Sequence, residues 1–268
     1  MPFAKINGFD MHYEVQGEGP PIVFAHGLLS SIAMAELLGE VPPSLFGEFT
    51  IIRYDSRGHG ESGYTTAVRD YMWDTLAEDL HGLFLHLGLE SAHLSGSSMG
   101  GGAAIVFALR HPEMVRKLVL QSPPPIGQRE SSYGAALFGG LALLVEGLGL
   151  REAVDIALRL KPWCDVKEAA PPVFEWIRNW LLSLKEEAIV PAIRGVVHGP
   201  ALSGEDFARI AAPTLLVAHP DDEIHPLESA ELLHSLIPDS RLVVAPNGLH
   251  FMLHRDELGQ IMSDFLKE

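Results

Sequence analysis

The chain has 268 residues, 47% hydrophobic and 20% charged, a soluble globular composition long enough to bury a sizeable core. Its formal charge of -16, from 19 basic against 35 acidic residues, argues against nucleic acid or an anionic membrane surface as a partner, since both reward clustered Lys and Arg. A lone Cys164 closes no internal disulfide, and MPFAKINGFD lacks a basic region followed by an apolar stretch, so a cytoplasmic protein without a membrane span is expected.

Residues 3–15 alternate around Asn7-Gly8, a strong hairpin signal. Residues 22–25 form a short apolar run of the kind buried on both faces of a sheet, stopping at His26-Gly27. A helix broken at Pro42-Pro43 is expected within 31–46, then a second buried strand over 49–54, ending in the polar loop 55–62. Leu76, Leu80, Leu83, Phe84 and Leu87 recur at spacings of three and four, which predicts a helix over 71–87. A strand at 92–94, a small-residue helix ending near Arg110 and a strand at 117–121 follow. That alternation predicts a parallel sheet with helices on both faces.

The rhythm breaks from 126 to about 210, where only helical patterns stand, at 135–148, 151–160, 173–184 and 188–197. This stretch reads as a helical cap inserted into one domain spanning 1–268. Sheet-like sequence returns at Thr214–Ala218 and 241–245, with helices expected at Leu227–Leu236 and 256–267.

The chemistry centres on Gly96-Ser97-Ser98-Met99-Gly100, between the strand at 92–94 and its helix. Glycines two residues either side of Ser98 relieve the collisions that a strained, left-handed serine backbone would cause. Strand, sharp turn and helix together make a G-x-S-x-G nucleophile elbow. A serine hydroxyl needs a neighbouring base, for which imidazole suits neutral pH. His250, a short turn beyond the last strand, is the expected base, with His254 as rival. The base needs a carboxylate to fix its tautomer, and Asp221, Asp222 and Glu223 all follow the strand Thr214–Ala218. The amides of Leu28 and Met99 are the expected oxyanion donors. This reading calls for no cofactor and no metal.

VFAHG at 23–27, YDSRGHGES at 54–62, GSSMGG at 96–101, the segment 222–226 and Gly248-Leu249-His250 together resemble the α/β-hydrolase superfamily over nearly the whole chain apart from the cap. The resemblance implies an α/β-hydrolase fold: a mostly parallel eight-stranded sheet, helices on both faces and a helical cap. It selects Asp222 among the acids and makes Asp55, Arg57, Gly58, Gly60 and Ser62 a structural brace. Two departures stand out. His219 occupies a position usually held by glycine, and Leu249 replaces the glycine that commonly precedes the catalytic histidine.

The implied activity is cleavage of a small apolar carboxylic ester or lactone through an acyl-enzyme. Carbon–carbon bond hydrolysis and cofactor-free haloperoxidase or perhydrolase chemistry use the same triad, and a non-catalytic ligand-binding member is a third reading. Serine at the elbow argues against haloalkane dehalogenases and epoxide hydrolases, which use aspartate there. Trp163, Trp176, Trp180 and residues 137–144 are the pocket candidates, and assembly as a homo-oligomer is left open.

Overall fold

The structure, a computed structural model, describes residues 2–125, 132–159, 167–168, 170–198, 202–248 and 250–268. Its strands are β1 (Phe3–Ile6), β2 (Phe9–Gln16), β3 (Pro21–Ala25), β4 (Thr50–Tyr54), β5 (Ala92–Ser97), β6 (Val115–Gln121), β7 (Thr214–Ala218) and β8 (Ser240–Val244). They form one sheet in the order β1-β2-β4-β3-β5-β6-β7-β8. β1 and β2 are antiparallel to their neighbours and every other pairing is parallel. The opening hairpin turns at Asn7 (φ 43°) and Gly8 (φ 89°), the two positive φ values that Asn-Gly supplies most readily.

Helices cover both faces because the inner strands bury apolar residues on both sides. In β3, Val23 and Ala25 point into one core with Trp73, Leu76, Leu80 and Leu83 of α2 (Trp73–Leu87) and Ala103, Ala104 and Phe107 of α3 (Met99–Arg110). Ile22 and Phe24, half a period away, point into the other, with Leu258, Met262 and Phe265 of the closing helix, Arg255–Lys267. A strand buried on both faces needs apolar residues in succession, and β3, β4 and β7 have them. The first helix, α1 (Ile32–Leu38), is shorter than the sequence suggests. Ser31 caps its start through Met34 N (3.2 Å), and Gly39 ends it at φ 81°, before the prolines are reached. A 3₁₀ turn over Pro43–Gly47 follows.

Between β6 and β7 the described residues hold α4 (Tyr133–Leu148), α5 (Leu150–Ala157), α6 (Pro171–Ser183), α7 (Glu186–Val197) and α8 (Gly204–Ala208), and no strand. The apolar faces of α4, α5, α6 and α7 pack together through Ala142, Val145, Val154, Phe174, Ile189 and Ile193 and reach Leu29, in the loop after β3. α9 (Leu227–Leu236) follows β7, and α10 (His250–Leu253) precedes the closing helix, α11 (Arg255–Lys267). Among the described residues no helix is long and apolar enough to cross a membrane.

Candidate active site

Ser98 sits between β5 and α3 with φ 49° and ψ -111°, a conformation that costs a non-glycine residue of order 1–3 kcal/mol. The flanking glycines make it possible. A Cβ at Gly96 would stand 2.5 Å from the Gly100 carbonyl oxygen, and one at Gly100 would stand 2.1 Å from that of Ala25. Both obstacles are backbone, so neither glycine can be enlarged without moving the strand. The turn is tied to the sheet where Ser98 N donates to Gln121 O (3.2 Å), and α3 starts with Gly102 N donating to Ser98 O (3.0 Å).

The Ser98 hydroxyl lies 2.7 Å from His225 Nε2. On the other side of the ring, Nδ1 lies 2.9 Å from Asp222 Oδ2. An ionised carboxylate only accepts hydrogen bonds, so Nδ1 carries the proton and Nε2 is free to accept from Ser98. The second carboxylate oxygen, Oδ1, accepts from the amides of Ile224 (3.0 Å) and His225 (2.9 Å). Burial pushes the Asp222 carboxyl up, but its bonds to the His225 side chain and amide and the nearby imidazoles outweigh that and hold it below the usual range. Asp222 and His225 therefore share one turn after β7, fixed by local hydrogen bonds of the kind short Asp side chains make with the following amides.

His250, expected in the place that His225 fills, stands elsewhere. It opens α10, its Nε2 lies 2.8 Å from Glu257 Oε2, and its ring lies against that of His254 with centroids 4.8 Å apart. The His254 backbone N bonds the His250 carbonyl (2.8 Å). The physical reason for the correction lies at His219. Its Nδ1 bonds Asp221 Oδ1 (2.7 Å), its Nε2 is 3.5 Å from Asp222 Oδ2, and Asp221 Oδ1 also accepts from Gly248 N (2.9 Å). The ring occupies space beside Gly248, only 2.8 Å from where a Cβ there would stand. The side of Asp222 that faces the turn after β8 is thus occupied by His219, and its other oxygen contacts belong to its own turn.

A small cavity of about 50 Å³ adjoins Ser98 and His225. Leu28 and Met99, the expected oxyanion donors, both line it. Gly27 comes close to the elbow, its missing Cβ 3.5 Å from Ser98 Cβ. His26 holds this turn: its Nε2 accepts from Ser56 N (2.9 Å), so Nδ1 carries the proton and donates to Gly27 O (2.8 Å). Burial lowers the pKa of His26 despite nearby Asp55, which keeps the ring neutral.

The apolar wall is Trp73, Pro124, Phe138, Val196 and Ile224. Of the expected pocket tryptophans, Trp176 and Trp180 stack on each other on α6 (centroids 6.5 Å, 9°) and do not line this cavity. Trp163 lies outside the described residues. Phe138 falls in the expected stretch 137–144. Trp73 was the missed aromatic, and its signal was Gly102, where a Cβ would meet the Trp73 indole at 2.1 Å.

The loop after β4 braces the site from below. Asp55 accepts from His12 Nδ1 (2.7 Å) and from the amides of Ile32 (2.8 Å) and Glu61 (2.9 Å), and Ser62 Oγ donates to the Asp55 carbonyl (2.6 Å). Arg57 forms two hydrogen bonds with buried Asp79 (3.0 and 2.8 Å). None of these residues lines the cavity around Ser98.

One titratable group under the elbow went unread in the sequence. Glu40 Oε1 accepts from Ser97 Oγ (3.0 Å), the residue before the strained serine, and its carbonyl accepts from Gln121 Nε2 (2.9 Å). Burial pushes its carboxyl up to about 7, against the opposing bond from Ser97. The folded chain therefore binds more protons than the unfolded chain between the ordinary carboxylate pKa and about 7. Stability from this group is full below that window and declines as pH rises through it. Thermal melts at pH 5 and pH 8 are expected to show a larger fall for the native chain than for a Glu40→Gln variant.

A family model described as the α/β hydrolase fold matches residues 20–149. The AB hydrolase superfamily protein YisY of Bacillus subtilis is 29% identical over 93% of this chain and 92% of its own length. A putative non-heme chloroperoxidase of Synechocystis is 29% identical over 100% of both chains. The thermophilic esterase of Thermogutta terrifontis is 27% identical with a TM-score of 0.81, covering 100% of this chain and 98% of that one. With strand order, elbow and likeness over the full length in agreement, the chain has the α/β-hydrolase fold.

Proposed function

We propose that the protein is a serine hydrolase that cleaves a small, largely apolar carboxylic ester or lactone through an acyl-enzyme. The observation that carries this reading is the contact of Ser98 Oγ with His225 Nε2 at 2.7 Å, in a ring whose other nitrogen is held by Asp222. Ser98 attacks the substrate carbonyl while its proton passes to His225 Nε2. The resulting imidazolium is stabilised by Asp222, which stays ionised. The oxyanion faces the amides of Leu28 and Met99, at the positive end of α3. Collapse expels an alkoxide, which takes the proton from His225; in a lactone it stays tethered to the acyl group. Water then attacks the acyl-enzyme, gives a proton to His225, and the acid leaves as Ser98 recovers its own.

The apolar wall of the cavity suits an acyl chain better than a charged one, and the acidity of the whole chain disfavours anionic substrates. Turnover of p-nitrophenyl esters and simple lactones, compared with diketones and with peroxide plus a carboxylic acid, tests the reading. Ester or lactone turnover well above the other two supports it, and their reversal overturns it. Perhydrolysis is the second reading, favoured by the full-length likeness to a putative chloroperoxidase. Asp222→Asn is expected to leave the fold intact and to lower kcat by about 10⁴, because the amide selects the wrong imidazole tautomer; steady-state kinetics on the preferred ester checks it.

A further inference from the structure

Away from the Ser98 cavity, α2 and the end of α3 bring together three side chains that the hydrolytic chemistry leaves unused. Glu78 and His81 lie three residues apart on α2, and His111 follows α3 directly. One ligand atom from each falls within 4.8 Å of the others. The two imidazoles stack, with centroids 4.0 Å apart and planes 20° off parallel. Both rings are half-buried while Glu78 is exposed, so the cluster opens to solvent on the carboxylate side.

We propose that Glu78, His81 and His111 form a three-ligand site for a borderline divalent cation such as Zn²⁺, Co²⁺ or Ni²⁺. Residues three apart on a helix project from the same side, and Glu-x-x-His recurs on the helices of carboxylate-bridged metal proteins. Two imidazoles select this class of ion over Mg²⁺ and Ca²⁺, which take oxygen ligands. Three protein ligands leave a fourth, tetrahedral position for water.

The surrounding charges favour a cation. Arg110 donates to Glu78 Oε1 (2.9 Å) and to Asp74 Oδ1 (2.6 Å), and Glu113 acts on His111 as well. Two carboxylates therefore hold one guanidinium while a third, Glu113, acts on His111, which sits at the negative end of α3. Ligation at about 2.0–2.1 Å requires the rings to tilt out of their stack and converge. Arg110 then releases Glu78 and keeps Asp74. The ion would staple α2 to α3, the helix that carries the elbow, without entering the reaction. The proposal is independent of the hydrolytic reading.

The test uses the full, tag-free chain, stripped by chelator and titrated with ZnCl₂ by calorimetry and with CoCl₂ by visible absorption. Saturable one-to-one binding is expected, with a metal-dependent rise in melting temperature. His81→Ala and His111→Ala should each weaken binding by at least about tenfold and remove that rise, while melting like the metal-free native chain. Glu78→Gln should weaken it in the same direction. Absence of saturable binding up to about 1 mM, or binding that the two histidine variants retain undiminished, would overturn the proposal.

Discussion

Ser98→Ala is expected to lower kcat on the preferred ester by a factor of about 10⁶, leaving only what cavity binding and the oxyanion donors supply, by analogy with loss of a triad serine in subtilisin. The variant should fold at least as well as the native chain. Alanine at φ 49° carries the same backbone strain as serine, and the one hydrogen bond it loses is the contact with His225. Burst-phase and steady-state kinetics check the prediction. Retention of more than a hundredth of native activity would mean that another residue supplies the nucleophile.

The second large effect separates two histidines. His225→Ala is expected to cost a factor comparable with loss of the serine, because nucleophile and base act as a unit and their deletions do not add. His225→Ala combined with Ser98→Ala should therefore be little worse than either alone. His250→Ala should stay within about tenfold of native, since its Nε2 is bonded to Glu257 and its ring lies against His254. Melting curves guard against misfolding, because His250→Ala also loses its ring contact with His254. A collapse of kcat in His250→Ala with a native-like melt, together with a competent His225→Ala, would assign the base to the turn after β8.

Much of this protein is legible in its sequence because its physics is local and periodic. Successive apolar residues in β3, β4 and β7 announce a sheet covered on both sides, and Asn7-Gly8 announces its hairpin. The elbow is legible because only glycine tolerates carbonyls at the distances found around Gly96 and Gly100. Asp222 follows β7 directly.

The arrangement of the base is different in kind. A histidine after the last strand matches the family pattern, and although His219 is legible as a departure from it, the sequence does not show that its ring occupies space beside Gly248. Nor does it register that Asp222 accepts from the amides two and three residues on and holds the His225 ring beside its own carboxylate. The D-x-x-H spacing at 222–225 was the available signal. The cavity wall was hidden for a related reason: Trp176 and Trp180 recur at helical spacing and satisfy each other on α6, whereas Trp73 reaches the site from the far side of a glycine in α3.

The central claim is that Ser98 is an activated nucleophile. A fluorophosphonate probe, incubated with the full chain and followed by peptide mass mapping, tests it most directly. One adduct per chain is predicted, on the peptide containing Ser98 and on that residue, formed faster than on a Ser97-containing control in which Ser98 is alanine. An intact chain that stays unlabelled, or an adduct that maps to any other residue, would contradict the account.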